Sequence, residues 1–324
     1  MSVIIAINDE GKFLEKSLNS LTNQTLKNIE IICVNNGSDY KCKQICNRLK
    51  KDDERISFID MDKGRFAISK YIALRVAKGE FITFIDPNDW IREDFLEKMY
   101  ELCCEKKADI GVCKILKERN CYIEPEENYK FERLLFGQAT LKECLKGNYY
   151  DFSFSGKFFK KKLFKEIKIS DGSIHDDILA AYLLLKQSKK SIYTNYGGYI
   201  KNEALNGEYE KIELPSEHYS KILETVESWN SVIEKVKVDY DESILKETIG
   251  TYTRFIVSSI LDMSVEKDID TQIFYLQEIH EKVEEKKELI KKYNKVSKSE
   301  KFILNVFLLD YRLITLQNFI VKKI

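Results

Sequence analysis

The chain has 324 residues, enough for two domains, and 44% of them are apolar, which is ample for real cores. Lys plus Arg and Asp plus Glu both number 53, and this zero formal net charge argues against nucleic-acid binding, which needs a cationic surplus. Eight cysteines without a C-x-x-C pair, in a chain with three histidines, argue against a Cys/His zinc site.

The first 115 residues alternate between two periods. Short β-branched runs predict strands at Val3 to Ile7, Ile29 to Val34, Ile56 to Ile59, Phe81 to Ile85 and Asp109 to Val112. Between them, Phe13, Leu14, Leu18 and Leu21, then Phe95, Leu96, Met99 and Leu102, keep helical spacing. Strand alternating with helix predicts a mostly parallel α/β sheet with helices on both faces. Ligands of such sheets bind beyond the carboxyl ends of the strands. The segments there are polar and turn-like: "NDEG", "NNGS", "DMDKG" and "DPND". Residues 116–150 are irregular, and apolar patterning returns from Asp151 to Asn202. Beyond Glu208, helical periodicity with high Lys and Glu content predicts helices near 214–236, 242–263, 268–292 and 299–323. The expected division is therefore 1–205, with halves 1–115 and 116–205, followed by a helical C-terminal domain, 206–324. The opening run "VIIAI" is too short and uncharged for a signal peptide, and no stretch reaches the ~18 apolar residues of a membrane span. The expectation is a cytoplasmic protein with buried, reduced cysteines.

Four blocks carry a resemblance: "SVIIAINDEGKFLEKSLNSLTNQTLKNIEIICVNNGS", "DKGRFAISKYIALRVAKGEFITFIDPNDWI", "FSGKFFKKKLFKEIKI" and "HDDILAAYLLLKQSKKSIYTN". In this order, over residues 2 to about 202, they resemble the family 2 inverting glycosyltransferases of the GT-A fold, of the bacterial surface-glycan type. The resemblance implies a nucleotide-diphosphate-sugar donor, with UDP the expected nucleotide, and a divalent metal, Mn²⁺ or Mg²⁺. It also implies a glycan or lipid-linked acceptor. Donor-binding positions carried over are Ala6, Asn8, Glu10, Asn36, Gly64, Arg65, Ser69, Lys70 and Asp86. The D-x-D motif, whose carboxylates hold the metal against the diphosphate, falls on Asp86 and Asn88, with Asp89 next to them. As a bare tetrapeptide "DPND" is an ordinary turn; between "GEFITFI" and "WI" it reads as the donor loop. Asp177 matches the catalytic base, with Asp176 the fallback, although an acidic residue also suits a helix start on dipole grounds. Lys157 and His175 belong to the acceptor side, His175 as a neighbour of the base and not a ligand.

Several positions depart from the family pattern. Asn35 and Asn36 replace an aspartate pair, and Asn88 replaces the second metal carboxylate. Ser69 stands where an arginine helps hold the diphosphate, with Arg65 and Lys70 close enough in sequence to substitute. Amide oxygens accept hydrogen bonds and bind hard cations more weakly than carboxylates. Two readings follow: an active hexosyltransferase, favoured by the retained "HDD", or a catalytically silent GT-A domain that binds a partner or glycan.

Two further features stay open between structural and functional uses. Tyr149, Tyr150, Phe152 and Phe154 are either strand residues or an acceptor platform. Phe302, Val306, Leu309, Leu313, Leu316 and Ile320 form an apolar stripe at helical spacing. That stripe suits packing within its domain, a homodimer, or peripheral contact with the inner face of the cell membrane.

Overall fold

The computed structural model describes residues 1–8, 13–62, 66–127, 130–147, 149–167, 177–203, 215–266, 268–293 and 296–315. They form two compact units, residues 1–208 and 209–324.

The first unit runs β1 (Ser2–Ile7), α1 (Leu14–Thr22), β2 (Glu30–Asn36), α2 (Tyr40–Asp52), β3 (Ile56–Met61), α3 (Phe66–Val76), β4 (Phe81–Ile85), β5 (Trp90–Ile91) and α4 (Phe95–Glu105). It continues with β6 (Ile110–Arg119), β7 (Tyr122–Ile123), β8 (Glu132–Phe136), α5 (Gln138–Lys146) and β9 (Lys157–Lys160). A 3-10 turn (Lys161–Glu166), α6 (Asp177–Gln187) and β10 (Lys190–Asn202) complete it. The sheet order is β3-β2-β1-β4-β9-β6-β10-β5, with β7 beside β6 and β8 beside β10. β3, β2, β1 and β4 are mutually parallel, whereas β9 inserts antiparallel between β4 and β6. Every residue of β1 and of β4 is buried, as continuous apolar runs require when helices cover both faces.

The irregular stretch 116–150 resolves into the end of β6, the hairpin to β7, and β8 with α5. Alternation is poor there because β8 exposes Leu134 (37%) and Phe136 (60%). Of the proposed aromatic platform, Tyr150 and Phe154 are core residues, while Tyr149 and Phe152 are half-buried. Six cysteines are buried and Cys104 and Cys121 are exposed, so the expectation of burial fails at those two.

The second unit contains α7 (Pro215–Asp239), α8 (Glu242–Ser264), α9 (Ile269–Glu284), α10 (Lys287–Tyr293) and α11 (Lys298–Leu309). Side-chain caps start three of them: Asp241 for α8, Asp268 for α9, and a Ser297–Glu300 capping box for α11. The helix expected over 268–292 breaks near Lys286, whose buried ammonium meets Glu234 of α7 at 2.7 Å. The C-terminal stripe is corrected too. The buried face of α11 is Leu304, Phe307 and Leu308, while Phe302 and Leu309 are 60% and 79% exposed. At Asp310 the backbone turns extended (φ −160°, ψ 112°), so the helix ends at Leu309. Leu316 and Ile320 lie outside the described residues. Among the described residues, no helix is long and apolar enough to cross a membrane.

One polar knot ties the starts of β1, β2 and β4. Glu30 accepts from Ser2 Oγ (2.6 Å) and from the amides of Lys78 (2.5 Å) and Gly79 (3.0 Å). A Cβ on Gly79 would sit 2.5 Å from the Met1 carbonyl carbon and the Ser2 amide nitrogen. Backbone cannot yield as a side-chain tip can, so Gly79→Ala should cost about 1–3 kcal/mol. Thermal melting of the variant should show Tm lower by roughly 3–10 °C; an unchanged Tm would refute this tight approach.

Candidate active site

The loop from Asp86 to Asp89 leaves the carboxyl end of β4, where the parallel half of the sheet meets antiparallel β9. Asp86 is exposed, and its Oδ1 accepts the Asn88 amide at 3.0 Å. The Asp89 amide returns to the Asp86 carbonyl at 3.0 Å. The loop is thus a tight turn, and its turn chemistry and its placement at a ligand-binding edge coexist.

Asp89 points inward. It is 6% exposed, and its carboxylate accepts the Tyr199 hydroxyl at 2.7 Å and the Asn202 amide at 3.0 Å. Tyr199 is fully buried on β10, and its hydroxyl oxygen also accepts the Asp86 amide at 3.2 Å. One phenol therefore grips both ends of the loop. Burial, then the neighbouring Asp86 carboxylate, push the Asp89 carboxyl up to about 7, against the lowering effect of its two donors. Asp89 serves as an anchor here, and this internal use leaves the exposed Asp86 and the half-buried Asn88 as the remaining pair.

The fit of that pair to a divalent cation has an observation behind it. Asn88 Oδ1 is buried and has no hydrogen-bond partner among the described residues, an orphaned acceptor of the kind a hard cation or a donor group satisfies. Among the described residues, no cluster of three or more His, Cys, Asp or Glu side chains could hold a metal. One carboxylate and one amide oxygen suit a cation that takes its remaining ligands from substrate phosphates and water, the usual arrangement for Mg²⁺.

Two further brackets frame the loop. Gln24, fully buried just past α1, donates to the carbonyls of Ser20 (2.9 Å) and Arg92 (2.7 Å) and accepts the Leu96 amide (3.0 Å). Trp90 Nε1 donates to Glu118 at 2.8 Å, and Lys16 meets the same carboxylate at 2.9 Å. Sequence reasoning missed Tyr199, Asn202 and Gln24 as parts of the site.

At the ends of β1 and β2, Ala6 and Asn36 are buried and Asn8 is half-buried. Asn35, by contrast, is structural. Its Nδ2 donates to Asp60 Oδ1 at 2.5 Å, and its Oδ1 accepts the Ser38 amide at 3.2 Å. An aspartate at position 35 would set two carboxylates against each other, so an amide there follows from Asp60 on β3. Hydrogen bonding from Asn35, then Lys43, holds the Asp60 carboxyl below its usual range.

Lys70 is half-buried, with its ammonium 5.5 Å from the Phe154 ring centre. Ser69 is fully buried, with its hydroxyl facing the Met61 sulfur at 3.9 Å, so it offers no surface to a diphosphate. Lys157 is 4% exposed and ion-paired with Asp151, an internal position that corrects its reading as an acceptor contact. The backbone places Asp177 at the first residue of α6. Glu10, Gly64, Arg65, His175 and Asp176 lie outside the described residues.

Residues 2–168 match the family described as "Glycosyl transferase family 2". The chain is 28% identical over 207 residues to "Glycosyltransferase GlyA" of Streptococcus pneumoniae, a match covering 60% of this chain and 29% of that protein. It is 30% identical over 177 residues to the "GalNAc(5)-diNAcBac-PP-undecaprenol beta-1,3-glucosyltransferase" of Campylobacter jejuni, covering 53% and 55% respectively. The chain thus spans less than two thirds of the length of both relatives. Among solved structures, S. aureus TarS 1-349 in complex with UDP-GlcNAc superposes with a TM-score of 0.70 over 98% of this chain and 90% of that one, at 17% identity. That likeness is one of fold: the first unit has the GT-A architecture.

The state of Asp89 makes stability pH-dependent. The folded chain keeps its proton up to about pH 7, whereas the unfolded chain releases it near the ordinary value of 3.8. The resulting stabilisation is complete below about pH 4 and is lost as pH rises through about 7. Asp89→Asn cannot ionise and lacks this loss. Between about pH 5 and pH 8, the wild type should lose about 2–4 kcal/mol relative to Asp89→Asn, read from denaturant titrations of both. Parallel pH profiles would contradict the buried carboxyl.

Proposed function

The chain belongs to glycosyl transferase family 2, and on that premise we propose that it moves one sugar, with inversion, from a nucleotide-diphosphate donor to a glycan or lipid-linked glycan acceptor in surface polysaccharide synthesis. The observation that carries this reading is the Asp86–Asp89 loop. It is anchored from beneath by Tyr199 and Asn202 and presents an exposed carboxylate beside an orphaned amide oxygen. UDP is the proposed nucleotide, in line with the UDP-GlcNAc complex of the structurally similar TarS. The proposed lipid-linked acceptor follows the undecaprenol-diphosphate substrate named for the C. jejuni relative.

In this reading Ala6, Asn8 and Asn36 line the nucleobase end of the donor pocket, joined by Glu10. Gly64, Arg65 and Lys70 approach the diphosphate. Asp86 and Asn88 hold Mn²⁺ or Mg²⁺, which when bound offsets the negative charge gathering on the departing diphosphate. Asp177, with Asp176 beside it, removes the proton of the acceptor hydroxyl as that oxygen forms its bond to the anomeric carbon. The bond from that carbon to the phosphate oxygen breaks in the same displacement, and its electron pair leaves on the nucleotide. Asn35 and Asp89 take no part in contacting the donor; they hold the strand ends that do.

The base assignment is tested by turnover. Once a screen of UDP, GDP, dTDP and CMP sugars with and without Mn²⁺ has identified the donor, Asp177→Asn should lower kcat roughly 10²–10⁴-fold with little change in donor affinity. Near-normal turnover would remove Asp177 from the mechanism. The metal assignment is tested by binding. Asn88→Asp adds a carboxylate beside Asp86 and should tighten Mn²⁺-dependent UDP binding by roughly tenfold, whereas Asp86→Ala should abolish that dependence. A silent domain would show UDP affinity indifferent to Mn²⁺ in all three proteins.

A further inference from the structure

At the amino-terminal end of β4, away from the donor loop, lies a cavity of about 610 Å³. It opens between the end of α3 and the 3-10 turn that follows β9. Its floor is apolar: Tyr71, Leu74 and Ile167 are buried there and Phe164 half-buried. Its walls carry six lysine and arginine side chains against one carboxylate, Glu80. In a chain whose charges balance at 53 each, that is a marked local excess.

Half of these cations have internal uses. Lys160 and Lys162 face Asp109 at 3.7 and 2.8 Å, and Lys161 bonds the Ala77 carbonyl. The other three, Arg75, Lys78 and Lys165, are exposed, and none has a carboxylate within ion-pair distance among the described residues. Elsewhere surface lysines meet glutamates one turn away, as Lys287 meets Glu284 and Lys291 meets Glu288. Val76, beside Arg75, is 49% exposed. Like charges gathered around an apolar floor repel one another and leave apolar surface wet, and an amphiphilic anion relieves both costs at once. A free phosphate would satisfy the rim and make no use of the floor.

We infer that this cavity takes the phosphate head of an anionic membrane lipid, with the first methylenes of its chains on Tyr71, Leu74 and Phe164, and so seats the domain on a bilayer. The five residues of β4 separate the cavity from Asp86, a distance of roughly 17 Å at ~3.3 Å per residue. The bilayer would then lie within reach of a short glycan carried on a lipid diphosphate. The inference rests on the proposed lipid-linked acceptor only for its purpose, because lipid binding is measured without any sugar transfer.

The experiment is co-sedimentation of the full chain with vesicles of equal parts phosphatidylglycerol and phosphatidylcholine, and with pure phosphatidylcholine, at about 0.1 M salt. The expected result is binding to the anionic vesicles alone. Replacing Arg75, Lys78 and Lys165 together by serine should weaken it roughly fivefold per charge, about a hundredfold in all. Replacing three exposed cations of α2, Lys41, Lys50 and Lys51, by serine should leave it within roughly fivefold of wild type. Thermal melts of both triple variants confirm that they fold. Millimolar glycerol phosphate should fail to displace the chain, and Asp177→Asn should bind as wild type does. The inference is overturned by binding no tighter to anionic than to neutral vesicles, by equal losses in the two triple variants, or by full displacement with glycerol phosphate. The last outcome would assign the cavity to a soluble phosphate.

Discussion

The hydroxyl of Tyr199 is the point on which the Asp86–Asp89 loop depends. The turn has two internal bonds, both to Asp86, and further bonds come from below. The phenol donates to the Asp89 carboxylate and accepts from the Asp86 amide, and the Asn202 amide completes the grip. Because Tyr199 is fully buried, no solvent competes for these bonds, and their directions are fixed by the sheet. β10 also follows directly on α6, which opens with Asp177. The strand that anchors this loop therefore follows the helix that begins at the proposed base.

The arrangement also explains why a buried acid sits beside an exposed one. Asp86 and Asp89 repel, and that repulsion with burial raises the proton affinity of the inner carboxyl. A protonated Asp89 can keep its bonds to Tyr199 and Asn202 while leaving the outer carboxylate as the single negative group at the loop's rim. The loop thus separates a buried, anchoring acid from an exposed one over three residues.

Much of the first unit was legible because its strands are covered on both faces. Val3 to Ile7 and Phe81 to Ile85 read as unbroken apolar runs, and both are strands of the sheet. What stayed illegible was long-range. The partner of Asp89 lies 110 residues away, and nothing local in "DPND" says which acid faces inward. Asn35 looked like a weakened donor contact because its partner, Asp60, sits at the end of a different strand. Ser69 and Lys157 matched family positions, yet burial turned both inward. In α11 the segment "FILNVFLL" is apolar nearly all round, so periodicity alone could not choose between the stripe through Phe302 and Leu309 and the buried one through Leu304, Phe307 and Leu308.

The pairing of Asn35 with Asp60 limits what can stand at the carboxyl end of β2. Restoring a carboxylate at 35 alone would place a second charge on an interaction that now joins two neighbouring strands, and the damage would reach the turn at Ser38. Position 35 can therefore change only in step with position 60.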